Sequence, residues 1–222
     1  MSAQKGGRIL RVIENYNSDF REEEHPRNNN GKFSTSSGSG SSKSKPQKTD
    51  RTQETGMADD LKTKKQKQEI ISRLDKDYIQ TAEEFFEKAK GKIKQRKEKV
   101  YRSIDKQEAK RIKDVTGLDV EGYEHKIINE DFAHIFRRHG NPRKQEKLGQ
   151  VAVTKDDLKL IPEITKNYDS LKLSPETSEG RPVLVYTKKI GNEYYYLETV
   201  GGKKTRDLRS KSMWIRKTGT TD

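Results

Sequence analysis

Two strand-like runs near the C-terminal end, Val183 to Ile190 (VLVYTKKI) and Glu193 to Val200 (EYYYLETV), flank the dipeptide Gly191-Asn192. A two-residue loop of this kind accepts positive φ, and β-branched and aromatic residues on both sides favour extended backbone. The stretch therefore reads as an antiparallel hairpin. The rest of the chain must supply a layer that covers one of its faces. Gly201-Gly202 turns into a further extended run, Thr205 to Lys217, and Gln150 to Thr154 (QVAVT) reads as a short strand. Glu130 to Asn141 (EDFAHIFRRHGN) carries Phe132, Ile135 and Phe136 at helical spacing, with Gly140 as the expected left-handed stop and a polar loop from Asn141 to Gly149 after it. Asp156 and Asp157 open another helix, with Leu158, Leu160, Ile161 and Ile164 on its apolar face and Pro162 shortening or bending it. The expected fold is α+β, with helices packed on a four-stranded, largely antiparallel sheet over residues 117–217.

Upstream the pattern is different. Only 28% of the 222 residues are apolar and 37% are charged, so packing cannot extend throughout. Residues 1–24 form a short segment with one apolar patch, Ile9, Leu10, Val12 and Ile13. Residues 25–58 read as a disordered Ser/Gly-rich linker, 59–116 as a basic helical region and 218–222 as a tail. In the helical region Ile71, Leu74, Tyr78, Ala82, Phe85, Ala89 and Ile93 form an amphipathic stripe, and Gln95 to Val115 reads as a second helix. With no cysteine, the chain has no disulfides, thiolate metal sites or Cys nucleophile. No apolar run approaches the roughly 18 residues of a membrane span, and the N-terminus lacks a signal-peptide core, so a soluble protein with no membrane partner is expected. Residues 61–113 carry 18 basic and nine acidic side chains, and 120–217 carry 20 and 14. Such a balance suits a polyanion, most simply nucleic acid, bound in a salt-dependent way; a solvated lysine-rich helix is the bland alternative.

Two of the four histidines, His134 and His139, lie in the Glu130–Asn141 stretch beside Arg137 and Arg138. Imidazoles that titrate near neutrality and fixed guanidinium charges are what metal-free phosphodiester cleavage requires. The same residues have ordinary uses, since a terminal His complements the helix dipole and a mid-helix His often packs. A histidine pair five apart does not share a helix face and no carboxylate cluster accompanies it. The pattern therefore argues for no metal and against a metal-dependent DNA endonuclease.

The segment HPRNNNGKF resembles linker segments of phage virion and head-morphogenesis proteins. From about Leu118 to Lys217 the chain resembles the phage-borne nuclease domains grouped with barnase, EndoU, the colicin tRNases and RelE. The shared features are GLDVEGYEH, HIFRRHG, GQVAVTKDDLKLIPEI with Asn167-Tyr168-Asp169, VYTKKIGNEYYYLETV and LRSKSMWIRK, in that order. The resemblance implies a barnase/RelE-like fold and a metal-independent, cofactor-free ribonuclease. It implies an effector or toxin in a virion or in host cytoplasm, with RNA and phage head or portal proteins as partners. Its H-x-x-x-x-H-G pattern falls on His134 and His139. Its last strand, commonly Lys-Thr-Met-Tyr, falls on Lys211, Ser212, Met213 and Trp214, so Ser212 keeps a hydroxyl and Trp214 lacks the phenol. Strand alternation is expected to put Ser210, Ser212 and Trp214 on one face. His134, His139 and Ser212 are the expected catalytic residues, and Arg138, Lys189 and Arg206 the expected phosphate-binding ones. The implied reaction is attack of a ribose 2′-hydroxyl on the adjacent phosphorus, with one group taking a proton and another donating one to the leaving oxygen. The rival reading is a catalytically silent virion interaction module, to which the Ser212 and Trp214 departures point.

Overall fold

The computed structural model describes residues 51–175, 178 and 180–218; the patch at 9–13, the HPRNNNGKF segment and most of the expected linker lie outside them. In chain order the elements are α1 (Arg51–Ser72), α2 (Lys76–Ala89), β1 (Glu98–Ser103), α3 (Lys106–Thr116), β2 (Glu124–Ile128), α4 (Asn129–His139), α5 (Pro142–Glu146), β3 (Gln150–Val151), α6 (Lys155–Lys159), α7 (Ile161–Lys166), β4 (Ser170–Leu173), β5 (Val183–Ile190), β6 (Asn192–Val200) and β7 (Asp207–Arg216). The architecture is α+β, but the sheet has seven strands instead of four, ordered β1-β2-β7-β6-β5-β4 with β3 pairing on β7. The β2–β7 pair is parallel and the others are antiparallel.

The additional strands hid for physical reasons. The stretch Gln95–Val115 divides into strand β1 and helix α3, with Asp105 capping the helix through its bond to the Glu108 amide at 2.8 Å. β1 is an edge strand of sequence EKVYRS, mostly exposed or half-exposed, so its polar content resembles the helices around it. The amphipathic stripe likewise breaks in two. Asp75 caps α2 by accepting from the Tyr78 amide at 2.8 Å, and only the α2 part buries deeply, through Tyr78, Ala82, Phe85 and Phe86. The core joins these residues and Ile112 to Phe132, Ile135 and Leu158. No helix of the described residues is long and apolar enough to cross a membrane.

The hairpin forms around Gly191 alone, at φ 68, with Ile190 opposite Asn192. A Cβ there would also lie 2.1 Å from the Thr63 hydroxyl of α1, so two constraints require glycine. This register places Tyr186 opposite Tyr196 and Lys188 opposite Tyr194, where a Gly-Asn loop would have shifted every pair by one. One face of the sheet therefore carries Leu184, Tyr186, Tyr194, Tyr196, Met213 and Ile215, all fully buried beneath the helices. The opposite face carries Val185, Thr187, Tyr195, Leu197, Ser212 and Trp214, all half-exposed. The site described next lies on that open face.

Candidate active site

Helix α4 fills the edge of β7 between β2 and β3, and packs against both β7 and α2. Phe132 meets Phe85 edge to face, with ring centres 5.8 Å apart, and Phe136 meets Phe86 at 4.9 Å. These contacts fix which side of α4 is buried. Asp131, His134 and Arg138 recur at three- and four-residue steps and share another side. Gly140 ends the helix at φ −90, so the left-handed stop is corrected. Glycine is needed because a Cβ would sit 2.4 Å from the Phe136 ring. The expected polar loop contains helix α5, capped by Asn141 through the Lys144 amide and started by Pro142.

His139 is oriented by α5. Gln145, buried, donates from Nε2 to the Arg138 carbonyl at 3.0 Å and faces His139 Nδ1 with its Oε1 at 3.4 Å. Because the amide donor is used elsewhere, Nδ1 carries the proton and Nε2 is the basic nitrogen. The His139 ring lies 6.4 Å from Trp214, which in turn stacks on Tyr195 at 5.1 Å with planes 4° apart. Burial lowers the His139 pKa, with Arg138 adding to the effect and Gln145 opposing it. Burial also lowers that of His134, reinforced by Arg138, Lys211, His139 and Arg137. Both imidazoles are therefore neutral at pH 7, beside fixed positive charges.

Ser212 lies opposite Leu197 on the open face, with Trp214. Ser210 does not. The β6–β7 ladder steps from Leu197↔Ser212 to Glu198↔Ser210, so Lys211 is the extra residue of a bulge and strict alternation ends there. Ser210 is buried, accepting from the Ile128 amide at 3.3 Å and donating to Asp131 at 3.2 Å. Lys189 is exposed near the hairpin tip, opposite Glu193, with its amide bonded to Asp169 at 2.8 Å; β5 is two strands, about 10 Å, from β7. Arg206 sits in the turn before β7 at φ 45, eight residues or about 25 Å from Trp214 along the strand. Helix α4 thus carries His134, Arg138 and His139, β7 carries Ser212 and Trp214, His139 lies beside Trp214, and Lys189 and Arg206 stand apart.

Lys211, Asp131 and Gln145 escaped the sequence reading. Lys211 depends on a bulge with no sequence mark, whereas Asp131 was detectable as the residue one turn before His134. Asp131 is the perturbed acid of the site. Burial raises its pKa to about 6 against the opposing effects of Ser210, Lys211, Arg96 and Arg209. Among the described residues, no group of three or more His, Cys, Asp or Glu side chains could hold a metal.

The sheet thus leaves one face half-exposed, and His139 of α4 lies beside that face at Trp214 of the interior strand β7. Residues 102–222 match the family described as phage-Barnase-EndoU-ColicinE5/D-RelE like nuclease3 (PBECR3), and the chain belongs to that family of nucleases. The match begins within β1, well after the HPRNNNGKF segment, and gives no support to the virion-linker resemblance. No curated protein and no solved structure matches the chain.

Proposed function

We propose that the protein is a metal-independent endoribonuclease that cleaves RNA by 2′-hydroxyl transesterification. The observation that carries this reading is the pairing of two neutral histidines of α4, His134 and His139, with the cations Arg138 and Lys211, next to Trp214 of the open sheet face. A neutral imidazole can accept the 2′-hydroxyl proton, and a nearby cation can offset charge growing on the nonbridging oxygens. His139 is the better base, since Gln145 leaves its Nε2 lone pair facing away from the bond. The leaving 5′-oxygen takes its proton from His134 in its imidazolium form, which is the minor form at pH 7 because burial and Arg138 lower its pKa, so turnover draws on that fraction. Ser212 supplies a hydroxyl for a phosphate oxygen, and the Trp214–Tyr195 stack forms the wall against which a base rests. Lys189 and Arg206 lie too far off to touch the scissile phosphate and are assigned to flanking backbone.

The family's phage designation supports an effector encoded by a phage, acting in host cytoplasm or carried on a virion with head or portal proteins as partners. The deciding experiment incubates the full chain in excess chelator with RNA and with the same RNA bearing a 2′-deoxyribose at the cleaved position. Cleavage of RNA to a 2′,3′-cyclic phosphate, with no cleavage of the deoxy substrate, is expected. Equal cleavage of both substrates would exclude the mechanism.

A further inference from the structure

Beside the histidines, a cavity of about 170 Å³ opens between the first turn of α4 and β7, lined by Arg96, Asp131, Thr199, Arg209, Ser210 and Lys211 among others. Three cations meet at it from three places in the chain: the loop before β1, the body of β7 and its bulge. Their pairing is incomplete. Arg96 stands 3.9 Å from Glu98 and from Glu130, and Arg209 stands 3.9 Å from Asp207 with its Nε making no hydrogen bond. Lys211 has no carboxylate at ion-pair distance among the described residues. Elsewhere this fold brings such pairs into contact, as in Lys67–Asp157 at 2.6 Å and Lys159–Glu83 at 2.7 Å. The lining sets three cations, Arg96, Arg209 and Lys211, against the two carboxyls of Glu130 and Asp131, so positive charge is left over beside a space large enough for a tetrahedral oxyanion.

The cations are also held there by built structure. Asn129, buried at the start of α4, donates from Nδ2 to the Gln95 carbonyl at 2.9 Å. Its Oδ1 accepts from the Lys97 amide at 2.9 Å, and its own amide bonds the Lys97 carbonyl at 3.1 Å. These three bonds clamp the chain on both sides of Arg96, and a buried amide used this way fixes a loop rather than a helix. The bulge at Lys211 re-aims that side chain out of the β6–β7 ladder. Asp131 lies one turn before His134, so the cavity adjoins the reaction centre, about 4.5 Å along the helix axis.

We propose that this cavity is a phosphate subsite that receives the RNA backbone phosphate next to the scissile one, held by Arg96, Arg209 and Lys211. The proposal rests on the ribonuclease reading for the identity of its ligand, and on the cavity itself for the binding of a phosphate group. The carboxyl in its wall is compatible with an anion. Asp131 is partly protonated near pH 6, and in that form its hydroxyl donates to a phosphate oxygen. The groups around it are Arg96, Glu130, His134, Arg209, Ser210 and Lys211, and burial lowers the His134 pKa.

Two measurements test the subsite. In the first, the full chain cleaves a dinucleotide in three forms: without terminal phosphate, with a 5′-phosphate and with a 3′-phosphate. One phosphate is expected to lower KM by about tenfold or more, and Arg96→Ala and Arg209→Gln are each expected to reduce that advantage several-fold. Arg96 lies on an exposed loop, so its variant folds even if the strand variant does not. In the second, inorganic phosphate is titrated into the isotopically labelled chain. Saturable shifts of the Ser210 and Lys211 amides that weaken in Arg96→Ala are expected. Cleavage without any terminal-phosphate advantage, or an advantage retained in full by both variants, would overturn the subsite while leaving the ribonuclease standing. Phosphate binding at these amides in a chain that cleaves no RNA would keep the anion site and sink the ribonuclease. Absence of both phosphate binding and terminal-phosphate advantage would remove the subsite altogether.

Discussion

His125 lies within the sheet while His134 and His139 lie on helix α4 beside it, and their surroundings are built on opposite rules. His125, opposite Arg102 on β1, is fully buried on the covered face. Its Nδ1 meets Glu198 at 3.0 Å and its Nε2 meets Glu108 at 3.0 Å, while Arg102 pairs with Glu108 and Tyr101 donates to Glu198 at 3.1 Å. Two carboxylates face one guanidinium and one imidazole, so protonation of His125 balances the cluster. Burial alone would lower the His125 pKa, but Glu198 and Glu108 more than offset it and the net direction is upward. Arg102 and His125 hold Glu108 down at about 2 despite its own burial. Among the described residues no carboxylate pairs with His134 or His139, and both pKa values move downward. Matched buried charge holds a fold together. Unmatched charge at a half-exposed face creates a field that an anion can enter.

The largest expected effect separates the two regions by activity. His134→Ala and His139→Ala should each lower the cleavage rate per folded molecule by about 10² to 10⁴, while the thermal transition stays near wild type. His125→Gln should do the reverse, costing on the order of 3 to 5 kcal/mol by leaving Glu108 and Glu198 buried without their partner, a Tm loss of about 10 °C. The sign with pH follows from the raised His125 pKa. The stability contributed by its protonation is fully present below the unfolded pKa and is lost as pH rises through the folded one. Wild type should therefore weaken on the alkaline side of neutrality more than His125→Gln does, as calorimetry across pH 6 to 9 would reveal. A His125→Gln chain that melts like wild type would break the comparison.

Part of this arrangement was written in local sequence and part was not. The hairpin, the β7 strand, the helix through His134 and the Pro162 break between α6 and α7 follow from periodicity and turn residues within a few positions. The charged edge strand β1 carries no such pattern, and β2 is five residues of EHKII whose burial depends on partners far away in sequence. The covered-face cluster joins Arg102, Glu108, His125 and Glu198 from four elements, so no spacing announces it. On the site side, the His134 and His139 pattern was visible because one helix carries both. Ser210 was misplaced because a bulge at Lys211 shifts the alternation by one, a consequence of cross-strand register that the strand's own residues do not encode.

A smaller effect is expected at Asp131, one helical turn before His134 on α4. Its folded pKa of about 6 exceeds the unfolded value of about 3.9, so the native state holds a proton that the unfolded chain releases. That contribution is complete below about pH 4 and lost as pH rises through 6, and at pH 7 the buried carboxylate is a liability. Asp131→Asn should then stabilise the fold at pH 7 by about 1 to 2 kcal/mol, with solvent exposure and the loss of the Ser210 pairing discounting the full shift. At pH 4 the gain should vanish. Equal melting of variant and wild type at both pH values would mean that Asp131 ionises as an ordinary surface carboxylate.

The smallest effect concerns how an uncovered sheet face keeps its order. On the covered side Tyr194 and Tyr196 are fixed by burial, but Tyr195 and Trp214 are half-exposed and hold each other, stacked at 5.1 Å with planes 4° apart. The Arg216 guanidinium lies 5.6 Å from the Tyr195 ring centre. Such a pair is worth about 0.5 to 1.5 kcal/mol beyond the area it buries, so a double-mutant cycle of Tyr195→Leu and Trp214→Leu should show coupling of that size. The same substitution reaches His139, whose ring is 6.4 Å from Trp214 and whose pKa is lowered first of all by burial. Removing the indole admits water to that side of the imidazole, so the His139 pKa should return upward toward its ordinary value of about 6.5. An NMR titration of the His139 ring protons in wild type and Trp214→Leu measures it. No movement of the pKa, together with no coupling between the rings, would show that the open face is ordered by the strands alone and that the aromatic pair plays no part in tuning the base.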